Sequence, residues 1–101
     1  MDPYAALAVP IRRTIVELLA ERGQQTATQI SEQFNVTAAA ISHHLKILRE
    51  ARIVTMKKQA QQRIYALNPE SLQEIEAWTR DISARYDRLD AVLQELKRKQ
   101  G

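Results

Sequence analysis

The sequence predicts a mainly α fold with a small β-hairpin and a long C-terminal helix, and three observations predict it. Apolar residues recur at three- and four-residue spacing through most of the chain. That period breaks once, after Ala51, where two short β-branched and aromatic runs flank Gln59-Ala60-Gln61. From residue 70 the helical spacing resumes, and an isoleucine or leucine returns every seventh residue. With 101 residues, 45% of them hydrophobic, the chain suits one domain with a small core. Residues 1–68 form the core, and 69–99 form the long helix.

The elements follow in order. Tyr4, Leu7 and Ala8 make a short apolar turn. Pro10 reads as the first residue of a helix and Gly23 as its stop, with Ile11, Ile15, Leu18 and Leu19 at helical spacing between them. Thr26 with Gln29 three residues on is a capping-box pairing, and Ile30 and Phe34 mark the buried face of the short helix it opens. Asn35 is expected to take the left-handed conformation of a tight turn. A third helix begins at Thr37, with Val36 and Ile41 as a hydrophobic staple around the cap. Two helices joined across about three residues have helix-turn-helix spacing.

"RIVTMKK" and "QRIYAL" are the two strands, and "QAQ" is their hairpin tip, so the whole reads as a winged helix-turn-helix. Asn68-Pro69-Glu70 then opens the last helix with a cap, a first-turn proline and an acid at the positive dipole end. Ile75, Ile82, Leu89 and Leu96 repeat every seven residues, flanked by Trp78, Tyr86, Val92 and Leu93. Glu76–Arg80, Asp81–Arg85 and Glu95–Lys99 are spaced to pair on the exposed side. Thirty residues of helix measure roughly 45 Å. A core of about 65 residues is too small to cover that stripe, so the last helix is expected to dimerise with a second copy.

Fifteen Lys and Arg against twelve Asp and Glu give a net charge of +3, which permits an anionic partner. No run of about 18 apolar residues offers a membrane span. "MDPYAALAVP" lacks the pattern of a secretory signal, so a cytoplasmic address is the expectation. The absence of cysteine excludes disulfides, thiolate metal sites and thiol redox sensing.

The most informative stretch is residues 37–54, "TAAAISHHLKILREARIV". At about 100° per residue, Ile41, Leu45 and Leu48 fall in one narrow arc and must face the core. Ala39, His43, Lys46 and Glu50 then point away, with Ser42 beside them. Such a ridge is small at its start and hydrogen-bonding and cationic further on. It suits a helix whose N-terminal half enters a DNA major groove about 12 Å wide, where alanine meets thymine methyls. Lys57, Lys58 and Arg63 on the strands follow directly and suit the flanking phosphates. An ordinary solvated helix shows alanines and charges too; the order of helix, turn, capped helix, basic hairpin and long apolar helix favours DNA.

Adjacent His43 and His44 diverge by about 100° on a helix and cannot share one ion. They are the only histidines, and zinc asks for four ligands, so no metal or other cofactor is expected. His44 falls toward the buried flank as a packed, hydrogen-bonded side chain. Two glycines exclude a Gly-rich phosphate loop, and no nucleophile, base and orienting group stand together, so no enzyme activity is expected.

Over roughly residues 5–67 the chain resembles the ArsR family of winged-helix transcriptional repressors. The resemblance is carried by "ALAVPIRRTIVELLAERG", "ISHHLKILREARIV" and "RIYAL". It implies a homodimer that binds inverted-repeat operators in double-stranded DNA and blocks transcription. It also implies a dimer interface of first and last helices: Tyr4 and Leu7 with Ile75, Trp78, Ile82, Tyr86, Leu89, Val92, Leu93 and Leu96. The DNA-facing set would be Thr37, Ala39, Ala40, Ser42, His43, Lys46 and Arg49, with Lys57, Lys58 and Arg63 on the wing. Departures are specific. Thr26 and Thr28 stand where metal-sensing members carry two cysteines, so metal-relieved repression is not implied. Arg52 replaces the usual glycine after "LREA", and the wing tip lacks its common glycine. Two other readings remain open: a protein-interaction module using helix 70–98, and a repressor whose small-molecule effector sits near Trp78 and Tyr86.

Overall fold

The computed structural model describes residues 1–100. The elements run α1 (Pro3–Ala6), α2 (Pro10–Arg22), β1 (Gln25–Thr26), α3 (Ala27–Ser31), α4 (Ala38–Glu50), β2 (Val54–Gln59), β3 (Gln62–Leu67) and α5 (Pro69–Gln100). The chain divides into two compact units, Met1 to Ser71 and Leu72 onward. No helix among the described residues is long and apolar enough to cross a membrane.

Local chemistry explains where the helices start and stop. Pro10 opens α2, losing an N–H that would have had no partner there. Gly23, at φ +76°, closes it with its N–H on the Leu19 carbonyl at 2.9 Å. The capping box of α3 is complete. Thr26 Oγ1 accepts from the Gln29 N–H at 3.1 Å, and Gln29 Oε1 accepts from the Thr26 N–H at 2.9 Å. Thr37 caps α4 by accepting the Ala40 N–H at 3.1 Å.

The turn between α3 and α4 departs from expectation. Asn35 is not left-handed; the positive-φ residues are Gly23, Arg52 and Ala60. Instead the end of α3 tightens into three-residue bonds, Gln33 N–H to Ile30 O and Phe34 N–H to Ser31 O. These use the orphan carbonyls without reversing any backbone angle. Phe34 therefore lies beyond the helix, half-buried against the core, and Val36 is left 46% exposed.

The hairpin holds a third strand that the sequence did not announce. β1 pairs antiparallel with β3, Gln25 opposite Tyr65 and Thr26 opposite Ile64, giving the order β1-β3-β2. Two residues carry no period-2 pattern to read. β2 and β3 pair in register from Val54–Leu67 to Gln59–Gln62, closed by a two-residue turn, Ala60-Gln61. The turn forms without glycine because Ala60 takes φ +56°.

Ile15, Ile30, Ile41, Leu45, Leu48, Ile53 and Val54 are fully buried, so α2, α3, α4 and β2 share one core, which Tyr65 of β3 joins. Considered by itself, the unit from Leu72 is one continuous helix with an exposed apolar series. Its ion pairs are Glu76–Arg80, Asp81–Arg85 and Glu95–Arg98. The last corrects the expected Glu95–Lys99 pairing. Arg98 reaches both carboxylate oxygens through Nε and Nη2, a fork that a lysine ammonium cannot match.

Candidate nucleic-acid interface

The helix α4 is the centre of the site, and its orientation follows from what it buries. Ile41 is 1% exposed, and Leu45 and Leu48 are wholly enclosed. Each is worth about 1.5–3 kcal/mol of transfer free energy, which rotation of the helix would forfeit. The opposite ridge is thereby fixed outward: Ala39, Ser42, His43, Lys46, Arg49 and Glu50 are exposed, and Ala40 is half-buried on its flank. The first turn of α4 holds no acidic residue of its own, so nothing within the helix offsets the partial positive charge at its start beside Thr37.

Between this ridge and strand β3 lies a cleft of about 490 Å³. Ala39, Ser42, His43, Lys46 and Arg49 line it from α4, and Arg63 lines it from the wing. The structure thus brings together six of the ten expected DNA-facing residues. Thr37, Ala40, Lys57 and Lys58 are not among the lining residues. Thr37 stands at the entrance to α4 with its Oγ1 already accepting from Ala40, leaving the hydroxyl proton to donate.

The two wing lysines differ. Residues directly opposite on a ladder share a face of the sheet, and neighbours along a strand alternate. Lys58 is paired with Arg63, so it shares the cleft face. Lys57 is paired with Ile64 and points to the other side, where it borders a separate hollow with Thr55, Ile64 and Ala66. Sequence reading grouped the three wing cations; the pleat separates one of them.

His44 is half-buried on the inner flank of α4. Arg12 Nε donates to its Nδ1 at 3.2 Å, and Arg12 Nη1 donates to the Ala6 carbonyl at 3.4 Å. An Nδ1 that accepts must be unprotonated, which fixes the neutral ring with its proton on Nε2. Burial first, then the Arg12 and His43 charges, hold the His44 pKa below its ordinary 6.5. The His43 ring stands 5.9 Å away, centroid to centroid, and tilted by 59°.

Two cleft residues lie outside the expected DNA-facing set, one of them, Glu50, on the ridge that the spacing turns outward. Glu50 is the single carboxylate among three cations, and Tyr65 forms part of the floor. The spacing held both signals: Glu50 lies four residues after Lys46, and Tyr65 two after Arg63. A smaller hollow of about 230 Å³ joins Thr28 and Ser31 of α3 to Ala38 and Ser42 of α4. The three-residue spacing of Thr28 and Ser31 and the four-residue spacing of Ala38 and Ser42 were its only trace in the sequence. As for the expected dimer residues, Tyr4 is 42% exposed, whereas Leu7 is half-buried against the core. Trp78, Ile82, Tyr86, Leu89, Val92, Leu93 and Leu96 are exposed by 41–65%, and Ile75 is half-buried.

The family model described as "Bacterial regulatory protein, arsR family" matches residues 9–56, from the start of α2 into β2. The chain is 39% identical over 75 residues to the transcriptional repressor SdpR of Bacillus subtilis, covering 74% of this chain and 82% of that protein. It is 32% identical over 93 residues to the HTH-type transcriptional regulator Rv2034 of Mycobacterium tuberculosis, covering 87% and 86%. Among solved structures, a possible transcriptional regulator for arsenical resistance superposes with a TM-score of 0.76 at 36% identity, over 90% of this chain and 95% of that one. The family model and relatives that regulate transcription show that the chain belongs to the ArsR family of DNA-binding transcriptional regulators.

Proposed function

We propose that the chain is a homodimeric, cytoplasmic repressor that binds an inverted-repeat operator and carries no enzyme activity. The observation that carries the reading is the inward turn of Ile41, Leu45 and Leu48, which commits Ala39, Ser42, His43 and Lys46 to the outer ridge beside Arg63. Ala39, Ala40, Ser42 and His43 meet base edges in the major groove. Lys46, Arg49, Lys58 and Arg63 hold phosphates, and Thr37 donates to one at the helix start. A second copy covers the apolar series of α5, whose seven members are too exposed for a helix alone in water. Two recognition helices about 34 Å apart then read two half-sites one turn of duplex apart.

The test is selection of bound duplexes from a random pool, followed by sedimentation of the protein alone and on the selected site. The expected products are palindromic sequences bound by two chains. His43→Ala should change which bases are preferred, while Lys58→Ala should weaken every sequence about equally. A monomer without sequence preference would refute the reading and favour a protein-interaction module.

A further inference from the structure

The C-terminus of α4 ends in an unusual way. The Ile53 N–H reaches back to the Leu48 carbonyl at 3.0 Å, and the Arg52 N–H to the Arg49 carbonyl at 3.0 Å. This is the paired-bond helix stop that glycine usually makes, here with Arg52 at φ +62°. Reversing the backbone at Arg52 turns its carbonyl away from α4, and the start of α5 claims it. Asn68 Nδ2 donates to Arg52 O at 2.8 Å, and Ser71 Oγ donates to the same oxygen at 2.5 Å. The Asn68 N–H also donates to the Ile53 carbonyl at 2.9 Å. Meanwhile Asn68 Oδ1 accepts the Glu70 N–H at 3.3 Å and so caps α5. Ser71 is 8% exposed and is the one buried polar side chain among the described residues.

The helix stop is complete without these last bonds. Two side chains nevertheless converge on one carbonyl, and both belong to the first turn of the helix that carries the exposed apolar series. We propose that Asn68 and Ser71 are positioning residues for operator recognition, locking the end of the recognition helix to the start of α5 through the Arg52 carbonyl. The inference rests on the dimeric, operator-binding reading above. If α5 joins two copies, this joint decides how firmly each recognition helix is held at the half-site spacing. Neither side chain touches DNA. Their loss would act on spacing and not on phosphate attraction.

Asn68→Asp is the discriminating variant. It keeps an acceptor for the Glu70 N–H, and aspartate is an excellent cap, but it has no donor for the Arg52 carbonyl. Ser71→Ala removes the second donor, and Ser71→Thr restores it. Full-length proteins are titrated onto the selected operator, onto operators with the half-sites moved by one base pair, and onto unrelated duplex. Sedimentation and thermal melting are followed alongside. Asn68→Asp and Ser71→Ala should remain dimeric and folded and keep wild-type affinity for unrelated duplex. Their operator affinity should fall about tenfold or more, since the bond is lost in both copies. The penalty for altered spacing should shrink, and Ser71→Thr should recover both. Folded variants with wild-type operator affinity and spacing preference would overturn the proposal, as would equal losses on every duplex. A wild-type chain with no operator preference would instead overturn the parent reading, and this one with it.

Discussion

Lys57 and Lys58 are adjacent, identical in charge and both exposed, yet they stand on opposite faces of the wing. That contrast gives a sharp prediction. Lys58 shares a face with Arg63 and the cleft of α4; Lys57 sits opposite Ile64 on the other side. Each phosphate contact contributes about 0.9 to the slope of log affinity against log salt concentration. In a dimer Lys58→Ala removes two contacts, so the slope should become shallower by about 1.8. Over a fourfold rise in salt, from about 50 to 200 mM, the variant should then lose roughly tenfold less affinity than wild type. Lys57→Ala should leave the slope close to the wild-type value. Fluorescence anisotropy of a labelled operator across a salt series measures both. Equal slope changes for the two variants would refute the assignment of faces, and with it the use of the cleft as the phosphate track.

Two further outcomes test the scaffold around the site. Ala60→Gly at the wing tip should stabilise the fold by about 0.5–1 kcal/mol, because a left-handed alanine costs about 1–2 kcal/mol and glycine returns part of that as chain entropy; a lower urea midpoint would contradict it. The depressed pKa of His44 makes stability pH-dependent in one direction. The unfolded ring binds a proton first, so the contribution is complete above 6.5 and is lost as pH falls through 6.5 toward the folded-state pKa. His44→Gln, which still offers Arg12 an acceptor but does not titrate, should flatten urea-derived stability between about pH 7.5 and 5.5. An unchanged slope would mean that another group carries the dependence.

Much of this was legible in the sequence because it is local. Pro10 and Gly23, Thr26 with Gln29, and the Thr37 cap each act within one helical turn, so spacing alone located α2, α3 and α4. The inward arc of Ile41, Leu45 and Leu48 is equally local, and it determined most of the outward ridge. What escaped depends on contacts between distant segments. β1 exists only because β3 lies beside it, and the opposite facing of Lys57 and Lys58 follows from a register fixed by the Ala60-Gln61 turn. The bonds from Asn68 and Ser71 to Arg52 join residues 16 and 19 apart. Asn35 tolerates a left-handed backbone, but the shorter hydrogen bonds at the end of α3 make that reversal unnecessary.

The strand order β1-β3-β2 leaves β2 outermost, with one side of its backbone ladder open. An open ladder is a template on which another extended chain can add itself, and lysine side chains are among the features that discourage such addition. Lys57 and Lys58 both lie on that rim. Lys57, which faces away from the cleft, is therefore placed to discourage one wing from recruiting the next, an effect that binding assays would not detect. Apolar replacements there should reveal themselves first as turbidity in concentrated samples.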